Sequence, residues 1–577
     1  MTILLSAEGK AILAEAGPML VLGGPGSGKT TLSLLKSRQL ISDLRDEQEV
    51  LFLSFSRAAV RQVLIRCRDV LVGSERKRIA VKTYHAFCLE LLRSHGRLLN
   101  GRQARIMYPA AASIQKRELG DDWPDEEARL AADDGVYSFD QFAPAVARLL
   151  GEAEAVAELL ASRYPVIILD EFQDTSDDQW DFIRQLARRS RLVFLADPDQ
   201  RIFDYDERVN AERLDQLRAL LNPAEYNLGF ENHRSPSGGI LGYARAVLRN
   251  EPLPTTSDVR TVAYWPKQFA ATVHAAVAWT FSKLRESGVE TPSVAVLTRT
   301  NGLAAQVSDF LSEAHVYKSQ TLKPVEHDLV WDAHLTAAAA QVVASILEWP
   351  ELTPELGVAA TMDKIADYFE LKNAGKETKA AAGKVTRYRD CADSVRGGAS
   401  LRTPKDATGI QRARAAGIEL VGDPASDWVR ARSVLDGPAD LKDVFQSARA
   451  VRLFRATDEI GGRLKAEWDR SGTYGHATQV VRRALEASMV GGDRREPRGC
   501  VVMTMHKSKG KEFDGVVLVE DQFKAPFFND RDERDKPLYP AARRLLMVGM
   551  TRARQRVVIV RPSGAVPLTN PALGRVS

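Results

Sequence analysis

From Gly23 to Thr30 the chain reads Gly-Gly-Pro-Gly-Ser-Gly-Lys-Thr, a G-x-x-x-x-G-K-[ST] pattern directly after the apolar run Met19–Leu22. Glycines at this spacing let successive backbone N–H groups close around phosphate oxygens. A helix that starts there presents its positive end to the same anion. Lys29 is expected to reach the outer phosphates of a nucleotide and Thr30 to ligate Mg²⁺. Gly23, Gly24, Pro25, Gly26, Ser27, Gly28 and Thr31 complete the expected cradle. A second apolar run, Val166–Leu169, ends in Asp170-Glu171. Asp170 is the expected second metal ligand, and Glu171 beside it can polarise water. A third run, Leu192–Leu195, leads into Asp197-Pro198-Asp199-Gln200.

These polar ends need a scaffold that brings them together. The short apolar runs 19–22, 50–53, 79–81, 166–169 and 192–195 predict buried parallel strands. A second group does the same at 262–264, 294–297, 501–504, 516–519 and 557–560. Helical patterns between many of them predict an α/β fold with two parallel sheets. Ligands of such sheets sit beyond the carboxyl ends of the strands, where the motifs fall. Two segments break the alternation. The expected division is 1–94 and 137–228 for the first α/β domain and 229–317 and 494–577 for the second. The expected inserts are 95–136, small, and 318–493, mostly helical.

The chain has 577 residues, 44% hydrophobic and 27% charged, which excludes a disordered chain, a collagen and a coiled-coil rod. Its 4 cysteines, Cys67, Cys88, Cys391 and Cys500, are too scattered for a disulfide framework, a zinc ribbon or a local iron–sulfur motif, and suit the cytoplasm. Met1–Ala7 carries no basic leader, and the longest apolar run, Leu335–Leu347, is too short to span a bilayer. A net charge of +4 does not by itself announce a nucleic-acid binder. Charge is nevertheless clustered, with seven acidic residues in 121–134 and six basic ones in 372–389. The acidic run is expected to face away from DNA. With Trp123 as an apolar anchor, it is a candidate docking surface for a partner.

Further segments complete a set. Asp170-Glu171-Phe172-Gln173-Asp174-Thr175-Ser176 resembles the helicase motif of the UvrD/Rep-like superfamily 1 DNA helicases. So, in order, do Phe55-Ser56-Arg57-Ala58-Ala59, Thr83-Tyr84-His85-Ala86-Phe87 and Asp197-Pro198-Asp199-Gln200-Arg201-Ile202-Phe203. Asn232-His233-Arg234-Ser235, Thr504–Phe513, Arg543-Arg544-Leu545-Leu546 and Thr551-Arg552-Ala553 follow. The resemblance implies two RecA-like domains with ATP and Mg²⁺ in the cleft between them. It makes Lys29, Glu171, Gln200, Arg234 and Arg552 the catalytic set, with Gln200 sensing the γ-phosphate and both arginines acting as fingers. Glu512 would contact the ribose and His233 would stack on the base. The DNA-binding residues it implies are Phe55, Arg57, Tyr84, His85, Phe203, Tyr205, His506 and Lys509.

Several positions depart from the family pattern. The usual adenine-reading glutamine is Gly9, and the usual adenine-stacking aromatic is His233. Ala196 and Lys511 replace Gly and Leu, and Ala541-Ala542 replaces an acidic pair. Looser nucleotide selectivity is therefore expected. The function implied is an ATP-dependent DNA helicase or translocase moving 3′ to 5′ on single-stranded DNA and DNA junctions. The alternative is a DNA-dependent ATPase that licenses a separate nuclease in repair or phage defence. The reduced, acidic first insert and the lack of a nuclease signature favour the alternative, and the lack of an L-S-G-G-Q signature disfavours an ABC transporter subunit.

Overall fold

The computed structural model describes residues 5–202, 208–229, 233–235, 237–330, 333–375, 379–401, 405–437, 439–449, 451, 459–491, 499–529, 532–533 and 535–576. Two six-stranded parallel sheets form its frame. From edge to edge the first runs Ile79–Thr83, Val50–Ser54, Val166–Leu169, Arg191–Ala196, Met19–Leu22 and Ala224–Asn227. Its central strands are apolar on both faces because helices cover both, so Leu51, Phe52, Ile167 and Leu195 are fully buried. Register sets Leu22 opposite Ala196 and Leu169 opposite Phe194. The glycine-rich loop, the Asp170-Glu171 pair and the Asp197–Gln200 turn thereby leave the sheet side by side.

The second sheet runs His327–Leu329, Gly499–Thr504, Ser293–Thr298, Phe513–Val519, Ala553–Pro562 and Val259–Tyr264. All ten expected strands are present. Two edge strands, Ala224–Asn227 and His327–Leu329, carry no continuous apolar run and were not signalled. The second corrects an expectation: residues just beyond 318 do not all belong to the helical insert, since His327–Leu329 pairs with Cys500–Val502 in the sheet.

The rest of 333–491 is helical and has its own core around Trp349, Trp428, Tyr368 and Tyr388. The apolar run 335–347 lies in the helix Ala333–Leu347 within that core. No helix among the described residues is long and apolar enough to cross a membrane. Among the described residues, Lys372, Lys384, Arg387 and Arg389 of this insert's basic run are matched internally. Lys372 pairs with Asp443 at 2.5 Å, Arg387 with Asp440 at 2.8 Å, and Arg389 with Asp367 at 2.5 Å. In the first insert, helix Pro109–Leu119 packs on helix Pro354–Gly375 of the second. The acidic run forms the helix Trp123–Arg129 and the turn after it. Trp123 is buried there, so the apolar anchor serves the insert's own packing rather than an open docking face. Within the run Arg129 pairs with Glu126 at 2.7 Å and Asp134 at 3.2 Å.

Candidate functional site

The loop after Met19–Leu22 needs its glycines. Gly26 and Gly28 have φ of 79° and 88°, and a side chain at Gly23 would meet Ser27 Oγ at 2.5 Å. Gly28 caps the helix Lys29–Ile41, which aims its first N–H groups into the loop. Lys29 Nζ donates to the carbonyls of Gly23 and Gly24, the latter at 3.2 Å. Around the loop stand Thr30, Gln62, Arg66, Asp170, Glu171 and Gln200 from the first sheet's side. Arg234, Gly510 and Arg552 close it from the second. Of the expected nucleotide residues, Gly24 to Thr30 line this one cleft between the two sheets, while Gly23, Thr31, His233 and Glu512 are not among its lining residues. Gln62 and Arg66 are additions, lying on one face of the helix Arg57–Val70 outside any of the motifs. Gly9 does not line this cleft. A side chain there would meet Leu32 Cδ2 at 3.4 Å.

Asp170 accepts from Ser54 Oγ at 3.3 Å. Burial and the neighbouring Glu171 push its carboxyl above the usual range. Glu171 sits in the left-handed region, at φ 55°, and accepts from Gln173 Nε2 at 2.6 Å. Burial would raise it, but Lys509 and Lys29 outweigh that and hold it below the usual carboxylate range. The two carboxylates are thus driven apart, leaving Glu171 the more readily ionised.

The second sheet's residues reach across the cleft. Gln200 donates from its amide nitrogen to Asp197, while its amide oxygen accepts from Arg552 Nη2 at 2.6 Å. Arg552 is buried, and that burial lowers its pKa to about 10, with the neighbouring Arg234 adding to the effect. The Arg234 guanidinium lies 2.8 Å from Glu512 and donates to Thr551 O at 3.0 Å. Glu512 also holds Arg66 at 3.2 Å and Arg554 at 3.4 Å. Although burial opposes it, this arginine cluster depresses the Glu512 carboxyl to about 2. Glu512 therefore ties three arginines together in this structure, rather than standing open to a ribose. His233 donates its backbone N–H to Gly26 O at 2.9 Å, which sets its ring 3.5 Å from a side chain built at Gly28. Gly510 comes so close to the first domain that a side chain would lie 2.9 Å from Ser56 Oγ.

A groove of about 210 Å³ opens beside this cleft, lined by Phe55, His85, Phe139, Phe142, Asp178 and Arg208 among others. His85 lies 5.8 Å from Phe139, which the motifs did not single out. Arg57 opens the helix next to Phe55, and His506 lies half-buried beyond strand 499–504. Two expected DNA contacts are corrected. Tyr84 is 2% exposed and packs under Phe55 with ring centroids 5.0 Å apart, so it offers no face to a base. Lys509 is drawn inward instead: it pairs with Asp174, lies 3.7 Å from Glu171 and donates to Gln200 O at 2.8 Å. Phe203 and Tyr205 lie outside the described residues.

Two parallel sheets that share a phosphate loop, an acidic pair and arginines from across the cleft define a two-domain P-loop nucleotide motor. Residues 4–129 and 126–210 match the UvrD/REP helicase N-terminal domain, and 499–560 match the UvrD-like helicase C-terminal domain. Over 96% of its length the chain is 22% identical to the ATP-dependent DNA helicase PcrA of Leuconostoc citreum, covering 81% of that protein. It is 23% identical to the putative ATP-dependent DNA helicase YjcD of Bacillus subtilis over 96% of its length, covering 78% of that protein. To UvrD1 of Mycobacterium bovis it is 23% identical over 97%, covering 83% of that helicase. Residues 4–210 and 499–560 thus carry the two UvrD-like helicase domains, and the relatives named are ATP-dependent DNA helicases.

Proposed function

We propose that the protein is an ATP-dependent DNA motor that tracks single-stranded DNA 3′ to 5′ and unwinds junctions. The observation that carries this is the contact of Arg552 Nη2 with Gln200 Oε1 at 2.6 Å, which joins the second sheet to the turn beside the phosphate loop. A group supplied by one domain to the nucleotide of the other makes hydrolysis depend on how the domains sit. That dependence is what a translocase needs. Thr30 and Asp170 fit Mg²⁺: a hard oxygen donor set, one of them a buried carboxylate that a divalent cation would favour in its charged form. Mg²⁺ would neutralise charge on the phosphates. Lys29 and the loop N–H groups would hold those phosphates, and Glu171 would orient the attacking water. Arg234 and Arg552 would meet charge that develops on the transferred group. The first motor domain would comprise 1–94 and 137–228. The second would comprise 229–317 and 494–577, with strand 327–329 added.

One observation favours the second function. Lys372, Lys384, Arg387 and Arg389 of the helical insert's basic run are paired with the insert's own carboxylates, which leaves them little grip on a duplex. A DNA-gated ATPase with weak unwinding, acting for a separate nuclease in repair or phage defence, would look like this. Strand displacement on 3′-tailed and 5′-tailed duplexes tests both. ATP-dependent displacement of only the 3′-tailed substrate supports the first, and DNA-stimulated hydrolysis without displacement supports the second. ATPase indifferent to DNA would refute both.

A further inference from the structure

The carboxyl end of the second sheet carries two large exposed rings that the motifs do not include. Trp265 is 68% exposed and Phe523 is 81% exposed. They are 258 positions apart in the chain (265 against 523) but lie on one edge. Trp265 follows the strand Val259–Tyr264, and Phe523 follows Phe513–Val519, with one strand, Ala553–Pro562, between them. Two strand spacings put their exits about 10 Å apart. Tyr264 spans the gap, its hydroxyl donating to Glu520 O at 2.9 Å. Asp521 accepts from the backbone N–H of Phe523 at 2.9 Å and of Lys524 at 2.7 Å, which turns that tip away from the sheet. Each ring has an exposed lysine close by, Lys267 and Lys524. Among the described residues neither lysine is in an ion pair and neither ring packs on another ring.

We propose that Trp265 and Phe523, with Lys267 and Lys524, form a stacking platform for single-stranded DNA, outside the groove between the motor domains. The inference rests on the DNA-motor function proposed above. Exposed rings interleaved with unpaired cations are what a strand of stacked bases and phosphates needs, whereas a protein-docking face tends to exclude charge from its centre. The platform also joins the expected track. Arg299, at the end of strand 293–298, donates to Pro526 O at 2.8 Å and Phe527 O at 2.7 Å, anchoring the turn that bears Phe523. Two residues on, Asn301 accepts from Lys507 at 3.2 Å, next to His506. From strand 499–504 to strand 259–264 the edge is four spacings wide, about 19 Å. A strand leaving the groove past His506 would meet the two rings there.

The test uses the full chain, with fluorescent oligo-dT of about 8 and about 30 residues. W265L/F523L keeps the surface apolar but removes the π faces, and should weaken binding of the long oligomer about tenfold or more while sparing the short one. DNA-free ATPase and thermal midpoint should not change. W265Y/F523Y should bind as wild type. K267Q/K524Q should reduce the salt slope for the long oligomer by about 1.4. Unchanged long-oligomer affinity in W265L/F523L, with DNA-stimulated ATPase intact in wild type, overturns the platform and leaves the motor function standing. A wild type that binds neither oligomer overturns both. If sedimentation shows a wild-type dimer that the leucine variant dissociates, the face is a self-association surface and the proposal falls.

Discussion

Glu512→Gln isolates the cluster that ties Arg66 of the first domain to Arg234 and Arg554 of the second. The folded-state carboxyl is depressed from 4.5 to about 2, and its side chain is 9% exposed, so solvent screening is slight. At about 1.4 kcal/mol per pKa unit, the charged form is worth about 3 kcal/mol to the folded state. The sign follows from the direction of the shift. A depressed pKa gives stability that is fully present above 4.5 and is lost as pH falls through about 2. The glutamine variant lacks that contribution at every pH and leaves the guanidiniums of Arg66, Arg234 and Arg554 facing one another. Urea unfolding followed by the tryptophan signal should show the variant less stable by about 3 kcal/mol at pH 7, within the 3–5 kcal/mol expected for breaking a buried pair. The gap should narrow as the pH is lowered below 4.5. A variant as stable as wild type at pH 7, or a gap that widens in acid, would refute the assignment of Glu512 as the arginine tie. Because several domains unfold, the comparison belongs to the transition that moves, not to a global two-state fit.

Lys29→Ala should lose nucleotide binding and turnover together, whereas Glu171→Gln should bind a fluorescent ATP analogue nearly as wild type yet hydrolyse at least about a hundredfold more slowly; equal ATPase rates in Glu171→Gln and wild type would remove Glu171 from the chemistry. Selectivity among ATP, GTP and CTP should stay below about a hundredfold in kcat/KM, because Gly9 faces Leu32 and offers no edge reader. Steady-state rates with the three nucleotides check this, and a stronger ATP preference would point to Gln62 as the reader. Trp428→Ala should destabilise the helical insert by about 3–5 kcal/mol, since the indole is fully buried in its core. Differential scanning calorimetry should show one shifted transition while DNA-free ATPase persists.

The sheets were legible because ten strands carry short apolar runs, even the edge strands Ile79–Thr83 and Val259–Tyr264, which are only partly buried. Ala224–Asn227 and His327–Leu329 were not legible because these edge strands interleave polar residues (Glu225, Asn227, His327, Asp328) with apolar ones. Residues along Ala224–Asn227 alternate between half-buried and exposed, which no apolar run reveals. The shape of the glycine-rich loop was legible, since its backbone geometry dictates Gly26 and Gly28. Side-chain direction was not. Tyr84 and His85 are adjacent in one motif, yet the helix turns the first inward and the second outward. Lys509 looked like a phosphate contact because its partners, Asp174 and Glu171, lie more than three hundred residues earlier in the chain. Arg66 was missed for the same reason, as its partner Glu512 belongs to the other domain.

Strand His327–Leu329 has a consequence for how the helical insert is attached. The chain leaves the second sheet just past this strand and returns on Gly499–Thr504, and the two strands are hydrogen-bonded neighbours. The chain thus enters and leaves the insert at one place in the motor, on two adjacent rails, and the insert touches the motor again where Arg449 pairs with Asp309 at 3.4 Å. Such a module can be exchanged or lost without rethreading the motor. Yet the returning rail continues directly into Met505 and His506 and the turn that carries Lys509 to Glu171. A load on the insert could therefore pass along that strand to Lys509, which lies 3.7 Å from Glu171.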